Sequence, residues 1–179
     1  MSQAARELTA DRDAARLFLA LWPDPSLQGQ LAAHRDQWLW NAGPSVVPAD
    51  RLHLTLHFLG DVARHRVAAL ADSLRVPFRA FELELGVPEC WPRGLAVLQP
   101  QAVPVELRDL HAALGEVLPA QGLPVDAREF RPHVTLARRA SGAIPPARAA
   151  ELRWRVAAYV LVESVPGAGY RVLREYGAT

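Results

Sequence analysis

Residues 52–59, LHLTLHFL, alternate between apolar and polar positions as far as Phe58, the period of a β-strand with one face in a core. The following Gly60-Asp61 pair predicts its end. Residues 132–138, PHVTLAR, repeat its centre: His53-Leu54-Thr55-Leu56 and His133-Val134-Thr135-Leu136 are both H-x-T-x, 80 residues apart, each with an arginine two residues before the histidine (Arg51 and Arg131). A period of two puts histidine and threonine on one face of each strand and the aliphatic residues on the other. Each copy therefore offers an imidazole beside a hydroxyl. Two such strands facing one cleft would converge two imidazoles and two hydroxyls.

Outward from these segments, strand and helix patterns mix. RLFLALW (16–22) is an apolar run closed by Pro23, and Asp24-Pro25 opens a helix carrying Leu27, Leu31 and Trp38. Val67, Leu70, Ala71 and Leu74 define a second helix; Leu107, Leu110, Leu114, Val117 and Leu118 define a third. Strands are predicted at 81–87, 95–98, 154–163 and 170–175, with loops over Pro88–Pro104 and Ser141–Pro146 too short to be linkers. Mostly alternating strands in mixed order predict an α+β fold with antiparallel sheet. No GxGxxG or GxxxxGK[ST] turn is present, which argues against a doubly wound nucleotide fold. The 179 residues fit one domain, 16–179, behind a polar extension, 1–15.

Composition excludes several chemistries. All 20 basic residues are arginine, so there is no lysine for a Schiff base or P-loop. One cysteine, Cys90, precludes an intramolecular disulfide or a multi-cysteine metal site, and it reads as structural rather than nucleophilic. The N-terminus has no apolar h-region, and no run is long enough to cross a bilayer, so a cytoplasmic protein is expected. The net charge of +1 hides an uneven distribution: between Arg128 and Arg155 seven arginines face Glu129 and Glu151. That local basicity suits one anionic group in a pocket better than a long duplex; a solvated arginine-rich face is the alternative.

Two imidazoles near neutral pKa can take one proton and give another in a single displacement, while hydroxyls and an arginine hold the phosphate oxygens. The pattern suits in-line displacement at phosphorus without a metal. His57 shares the alternation of His53 and Thr55, but four strand residues span ~13 Å, too far to bind one ion with His53. His57 is then a cleft-edge or cross-strand packing residue, and His34, His65 and His111, on helical patterns, are surface or boundary residues. By parity Arg138 points away from His133 unless a twist or bulge re-aims it, and Arg131 points with it. Phe58 has the parity of Leu54 and Leu56, favouring the core over base stacking. Trp91 either covers a base or buries in its loop.

RLHLTLHFLGDV (51–62) and FRPHVTLARR (130–139) resemble the two signature segments of the two-histidine phosphoesterase superfamily, and more narrowly its RNA 2′,3′-cyclic phosphodiesterase branch, once called 2′-5′ RNA ligase. RLFLALWPD (16–24) and the closing YRVLREY (170–176) extend the likeness. The resemblance implies a bilobal, pseudo-twofold α+β fold whose two antiparallel sheets carry the H-x-T-x motifs into a central cleft. It implies hydrolysis of a terminal 2′,3′-cyclic phosphate to a 2′-phosphomonoester, with no metal or cofactor. His53 would then be the acid toward the ribose 3′-oxygen, His133 the base activating water, Thr55 and Thr135 the grip on phosphate. Arg138 matches the arginine of an extended HxTxxR form, and Phe58 sits where an aromatic approaches the nucleoside. The implied partners are RNA with 2′,3′-cyclic ends, such as tRNA fragments, or cyclic nucleotides; no membrane and no obligate protein partner is implied. Ligation through a 2′-5′ linkage, the reverse reaction, uses the same groups. A non-catalytic RNA-end binding module would want exposed alternate aromatics instead of histidine and threonine.

Overall fold

The computed structural model describes residues 13–41, 43–147 and 150–179. The segment 1–12, most of the polar extension, lies outside the described residues. Nine strands and three α-helices follow in the order β1 (Ala14–Leu21), α1 (Pro25–Arg35), β2 (Ser45–Val46), β3 (Leu54–Ala63), α2 (Val67–Ser73), β4 (Phe81–Trp91), β5 (Leu95–Pro100), α3 (Val105–Ala120), β6 (Val134–Arg138), β7 (Leu152–Val156), β8 (Ala158–Val165) and β9 (Gly169–Gly177).

The helices form where the pattern predicts, for local reasons. Asp24 caps α1 by accepting the Leu27 N–H at 2.9 Å, and Pro25 takes the first turn, where its missing N–H costs nothing. Helix α3 buries Leu107, Leu110, Leu114 and Leu118 along one stripe, each contributing ~2 kcal/mol of apolar burial. No helix among the described residues is long and apolar enough to cross a membrane.

The fold is α+β, and its strands pair antiparallel in the order β7-β4-β5-β6-β3-β1-β8-β9, with β2 added to β6. Two halves are related by a pseudo-twofold. The unit β1–α1–β3 matches β5–α3–β6, each a strand, a helix and an H-x-T-x strand. The expected two lobes are thus halves of one sheet. They join where β3 meets β6 at a single pair, Leu54↔Val134, the residue between histidine and threonine in each motif. This register sets His53 across from Thr135 and Thr55 across from His133.

Three boundaries differ from the periodicity reading. The single strand expected at 154–163 is two: β7 pairs with β4 in one half and β8 with β1 in the other, the chain crossing over at Ala157. Residues 156–162 are apolar without a break, so the sequence pattern cannot mark the crossing. Strand β4 continues through Pro88 to Trp91 rather than looping out. Proline is tolerated there because β7 pairs only as far as Leu85, leaving that side of β4 without a neighbour among the described residues. Strand β3 passes Gly60-Asp61 to Ala63, because Gly60 adopts φ 75 and absorbs a bulge instead of ending the strand.

Candidate active site

Both H-x-T-x strands carry a β-bulge at the residue after the threonine. Ala20 pairs with Thr55 and Leu19 with His57, leaving Leu56 as the extra residue; Val97 pairs with Thr135 and Ala96 with Ala137, leaving Leu136. A bulge inverts the side-chain parity beyond it. Thr55 and Thr135 keep their place in the cleft, His57 and Ala137 turn into the core, and Phe58 and Arg138 turn back to the cleft side. Parity therefore misplaced Phe58: it is 67% exposed on the cleft, not in the core. The same device brings in Arg138. It also sets His57 apart from His53: His57 is buried against His111, whereas His53 packs against Phe18, Trp22 and Tyr170.

Each freed bulge carbonyl is captured. The Leu136 carbonyl accepts the Val47 N–H at 2.9 Å, and the Leu56 carbonyl accepts a ring N–H of His111. His57 returns the contact, its Nε2–H donating to the His111 carbonyl at 2.8 Å. The two imidazoles stack at 4.0 Å, and Phe130 stacks on His111 at 3.8 Å. Burial depresses the pKa of both histidines, that of His111 to about 4. His111 is half-buried and His65 exposed, as expected, whereas His34 is buried at the end of α1. His111→Phe keeps the stack but removes the donor, and should cost ~1–3 kcal/mol in urea unfolding for the stranded carbonyl. A variant as stable as wild type would show that water replaces the imidazole.

His53 and His133 lie immediately before β3 and β6. Each Nδ1–H donates to the carbonyl two residues back, Arg51 and Arg131 respectively, both at 2.7 Å. A carbonyl only accepts, so this bond fixes the tautomer and leaves each Nε2 for the cleft. Their surroundings differ. Trp22 stacks on His53 at 5.2 Å and 7°, Phe18 lies at 5.0 Å, and the edge of Tyr170 meets it at 5.2 Å. Trp91 tilts against His133 at 4.5 Å, held by its Nε1–H bond to Glu89 Oε2 at 2.7 Å and covered by the Arg131 guanidinium at 4.2 Å. Burial pushes the His53 pKa down to about 4, with the charge of Arg138 and the second imidazole adding to it. His133 is lowered too, by burial and then by Arg131 and Arg138; the carbonyl bond opposes the shift in both.

The cleft holds about 950 Å³ and is lined by both histidines, both threonines, Phe58, Trp91, Tyr170 and Arg16, Arg51, Arg128, Arg131 and Arg138. It thus brings together His53, His133, Thr55, Thr135, Arg138, Arg131 and Phe58. Most of the basic segment is neutralised locally: Arg128 by Asp126, Arg131 by Glu89, Arg153 by Glu84 and Arg155 by Glu82. Arg138 has no carboxylate partner among the described residues, so its charge faces the histidines. Arg51 lies across Gly169, whose φ of 93 favours glycine. Cys90 is half-buried, its thiol directed at the Ala140 carbonyl.

Sequence reasoning missed the aromatic nest of Phe18, Trp22 and Tyr170. The signal was present: in RLFLALW, Phe18, Ala20 and Trp22 alternate, and they pack with Val160 and Val162 as a small cluster separate from the main core. The run is apolar on both faces because β1 has an interior to fill on one side and a histidine to enclose on the other.

Two H-x-T-x strands meeting at the joint of a pseudo-twofold antiparallel sheet, with paired imidazoles over one cleft, define a two-histidine phosphoesterase. Residues 23–166 match the 2′-5′ RNA ligase superfamily, and the chain belongs to it. Among curated relatives, RNA 2′,3′-cyclic phosphodiesterase of Escherichia coli (strain K12) is 35% identical over 137 residues, 73% of this chain and 77% of that protein. The protein of the same name from Aeropyrum pernix is 32% identical over 119 residues, 62% of this chain and 66% of that protein. Among solved structures, E. coli LigT complexed with 3′-AMP superimposes with a TM-score of 0.83 at 28% identity, covering 93% of this chain and 99% of that one.

Proposed function

We propose that this protein hydrolyses RNA 2′,3′-cyclic phosphate ends to 2′-phosphomonoesters by acid–base catalysis between His53 and His133. The observation that carries the reading is the pair of imidazoles on adjacent antiparallel strands, each with Nδ1–H tied to a carbonyl at 2.7 Å and Nε2 turned to the same cleft. The names of the relatives and the nucleotide held by LigT support the same substrate class.

In this mechanism water attacks phosphorus opposite the ribose 3′-oxygen. His133 Nε2 takes a proton from the water as the P–O bond forms. His53 Nε2–H gives its proton to the 3′-oxygen as the other P–O bond breaks, leaving a 3′-hydroxyl and a 2′-phosphate. His53 sits deeper, among Trp22, Phe18 and Tyr170, where its proton goes to the leaving oxygen rather than to bulk water. Thr55 and Thr135 donate to the non-bridging oxygens, and the unpaired Arg138 offsets their charge. Arg131 is engaged with Glu89 and Trp91 and holds the latter against His133. Phe58 offers a face to the terminal base.

Arg51 and Arg138, cleft arginines without a carboxylate partner among the described residues, make a poor field for a divalent cation, and no three His, Cys, Asp or Glu side chains are grouped to hold one among the described residues. Hydrolysis is therefore metal-independent in this reading, and its site of action cytoplasmic. The test is end-group analysis of an oligoribonucleotide 2′,3′-cyclic phosphate incubated with the protein in EDTA. A 2′-phosphomonoester is expected. Activity lost in EDTA and restored by zinc or manganese would overturn the two-histidine mechanism, and a 2′-5′ joined product would assign ligation instead.

A further inference from the structure

The β4–β5 hairpin turns through Arg93 at φ 66 and Gly94 at φ 70. Three residues, Pro92, Arg93 and Gly94, lie between the last pair Trp91↔Leu95, and a long L side chain is strained at positive φ, where glycine and asparagine are favoured. Arginine is an unexpected residue there. Arg139, directly after β6, repeats the anomaly at φ 54. These are the non-glycine residues of positive φ among those described, and both are exposed arginines. The backbone fixes them beside each other: the Ala140 N–H donates to the Gly94 carbonyl at 2.8 Å, and a Cβ on Gly94 would fall 2.6 Å from the Ser141 nitrogen. Neither guanidinium has a carboxylate partner among the described residues, although Arg131, Arg153 and Arg155 do. Neither lines the cleft itself, but Arg139 directly follows the cleft residue Arg138 and Arg93 lies two residues after the cleft residue Trp91.

From these observations we infer that Arg93 and Arg139 form a second anion subsite, which binds the internal phosphodiesters of an RNA strand whose cyclic end lies between the histidines. Four residues of strand separate Arg139 from Thr135, up to ~13 Å, which places its backbone beyond the reacting phosphate and within side-chain reach of the next phosphates along the chain. Strain at an exposed, unpaired cation is retained where the side chain has a task the fold does not need. Recognition then divides: Phe58 and Tyr170 present rings on the β3 side of the cleft, Arg138 presents charge on the β6 side, and Arg139 and Arg93 extend that charge beyond the cleft rim. The subsite would make a polymer a better substrate than a cyclic mononucleotide.

This rests on the phosphodiesterase reading, and the experiment separates the two. The full chain and its Arg93→Gln/Arg139→Gln variant are assayed on 2′,3′-cyclic AMP and on a single-stranded oligoribonucleotide, roughly ten nucleotides long, ending in 2′,3′-cyclic phosphate. The variant should keep wild-type kcat/KM on the mononucleotide and lose roughly tenfold on the oligonucleotide, with the log–log salt slope shallower by ~1.4 for two lost single-strand contacts. Arg93→Asn, which suits the turn, should hold or raise Tm while weakening the oligonucleotide reaction alone. Equal losses on both substrates, or none on either, would overturn the subsite. If wild type hydrolyses neither substrate, the phosphodiesterase reading falls. Fluorescence anisotropy of the labelled oligonucleotide then still decides: tighter binding by wild type upholds the subsite, and equal affinity of wild type and double variant removes it.

Discussion

His53→Ala and His133→Ala should each lower kcat/KM on a 2′,3′-cyclic phosphate by ~10²–10⁴-fold, the usual contribution of a positioned acid or base. Both groups act in one displacement, so the double variant should lose less than the product of the single losses. The two substitutions are unequal structurally. His133 leans on one indole, whereas His53 is packed by Trp22, Phe18 and Tyr170, so His53→Ala should lower Tm further. Leu54, Leu56, Val134 and Leu136 stay buried behind both motifs, which preserves the fold in either case. Steady-state kinetics beside thermal unfolding separates the effects. A folded His133→Ala enzyme with near-normal hydrolysis would remove the base from the mechanism, and the same result for His53→Ala would remove the acid.

The sequence made the chemistry legible and its geometry only partly so. His53, Thr55, His133 and Thr135 could be placed on common faces because each pair precedes its bulge, where strict alternation still holds. Beyond Leu56 and Leu136 the same rule fails for Phe58 and His57, since the extra residue in a strand depends on what its partner strand and α3 offer the freed carbonyl. Nothing in LHLTLHFL reports that His111, 55 positions after Leu56, supplies the donor. The split of the 154–163 pattern has the same origin. One apolar stretch runs through both strands, and only the pairing with β4 or β1 says which residues serve which half. Charge counting found the basic segment from Arg128 to Arg155, but only spatial pairing distinguishes Arg138 and Arg139 from arginines already neutralised.

Hydrolysis should have an acidic pH optimum in kcat/KM, with both limbs of the bell below the ~6.5 of free imidazole. The reactive free enzyme carries one proton on the pair, on His53 and not on His133, and that form peaks between the two macroscopic pKa values of the coupled pair. Burial, Arg138 and the second imidazole lower His53 to about 4, and burial with Arg131 and Arg138 lowers His133. Above the upper limb kcat/KM should fall about tenfold per pH unit. In the complex the phosphate anion favours imidazolium, so the limbs of kcat should move up. Arg138→Gln should raise both limbs in the free enzyme, and a wild-type kcat/KM optimum at or above neutrality would sink this account. Stability runs the opposite way. A buried histidine with a folded-state pKa near 4 binds fewer protons than the unfolded chain between that value and ~6.5, so its contribution is complete above ~6.5 and is lost as pH falls toward 4. The two histidines then contribute less stability at the pH of greatest kcat/KM than they do above ~6.5. An anionic ligand that raises the histidine pKa values lessens this conflict, so inorganic phosphate should raise Tm more at pH 5 than at pH 8.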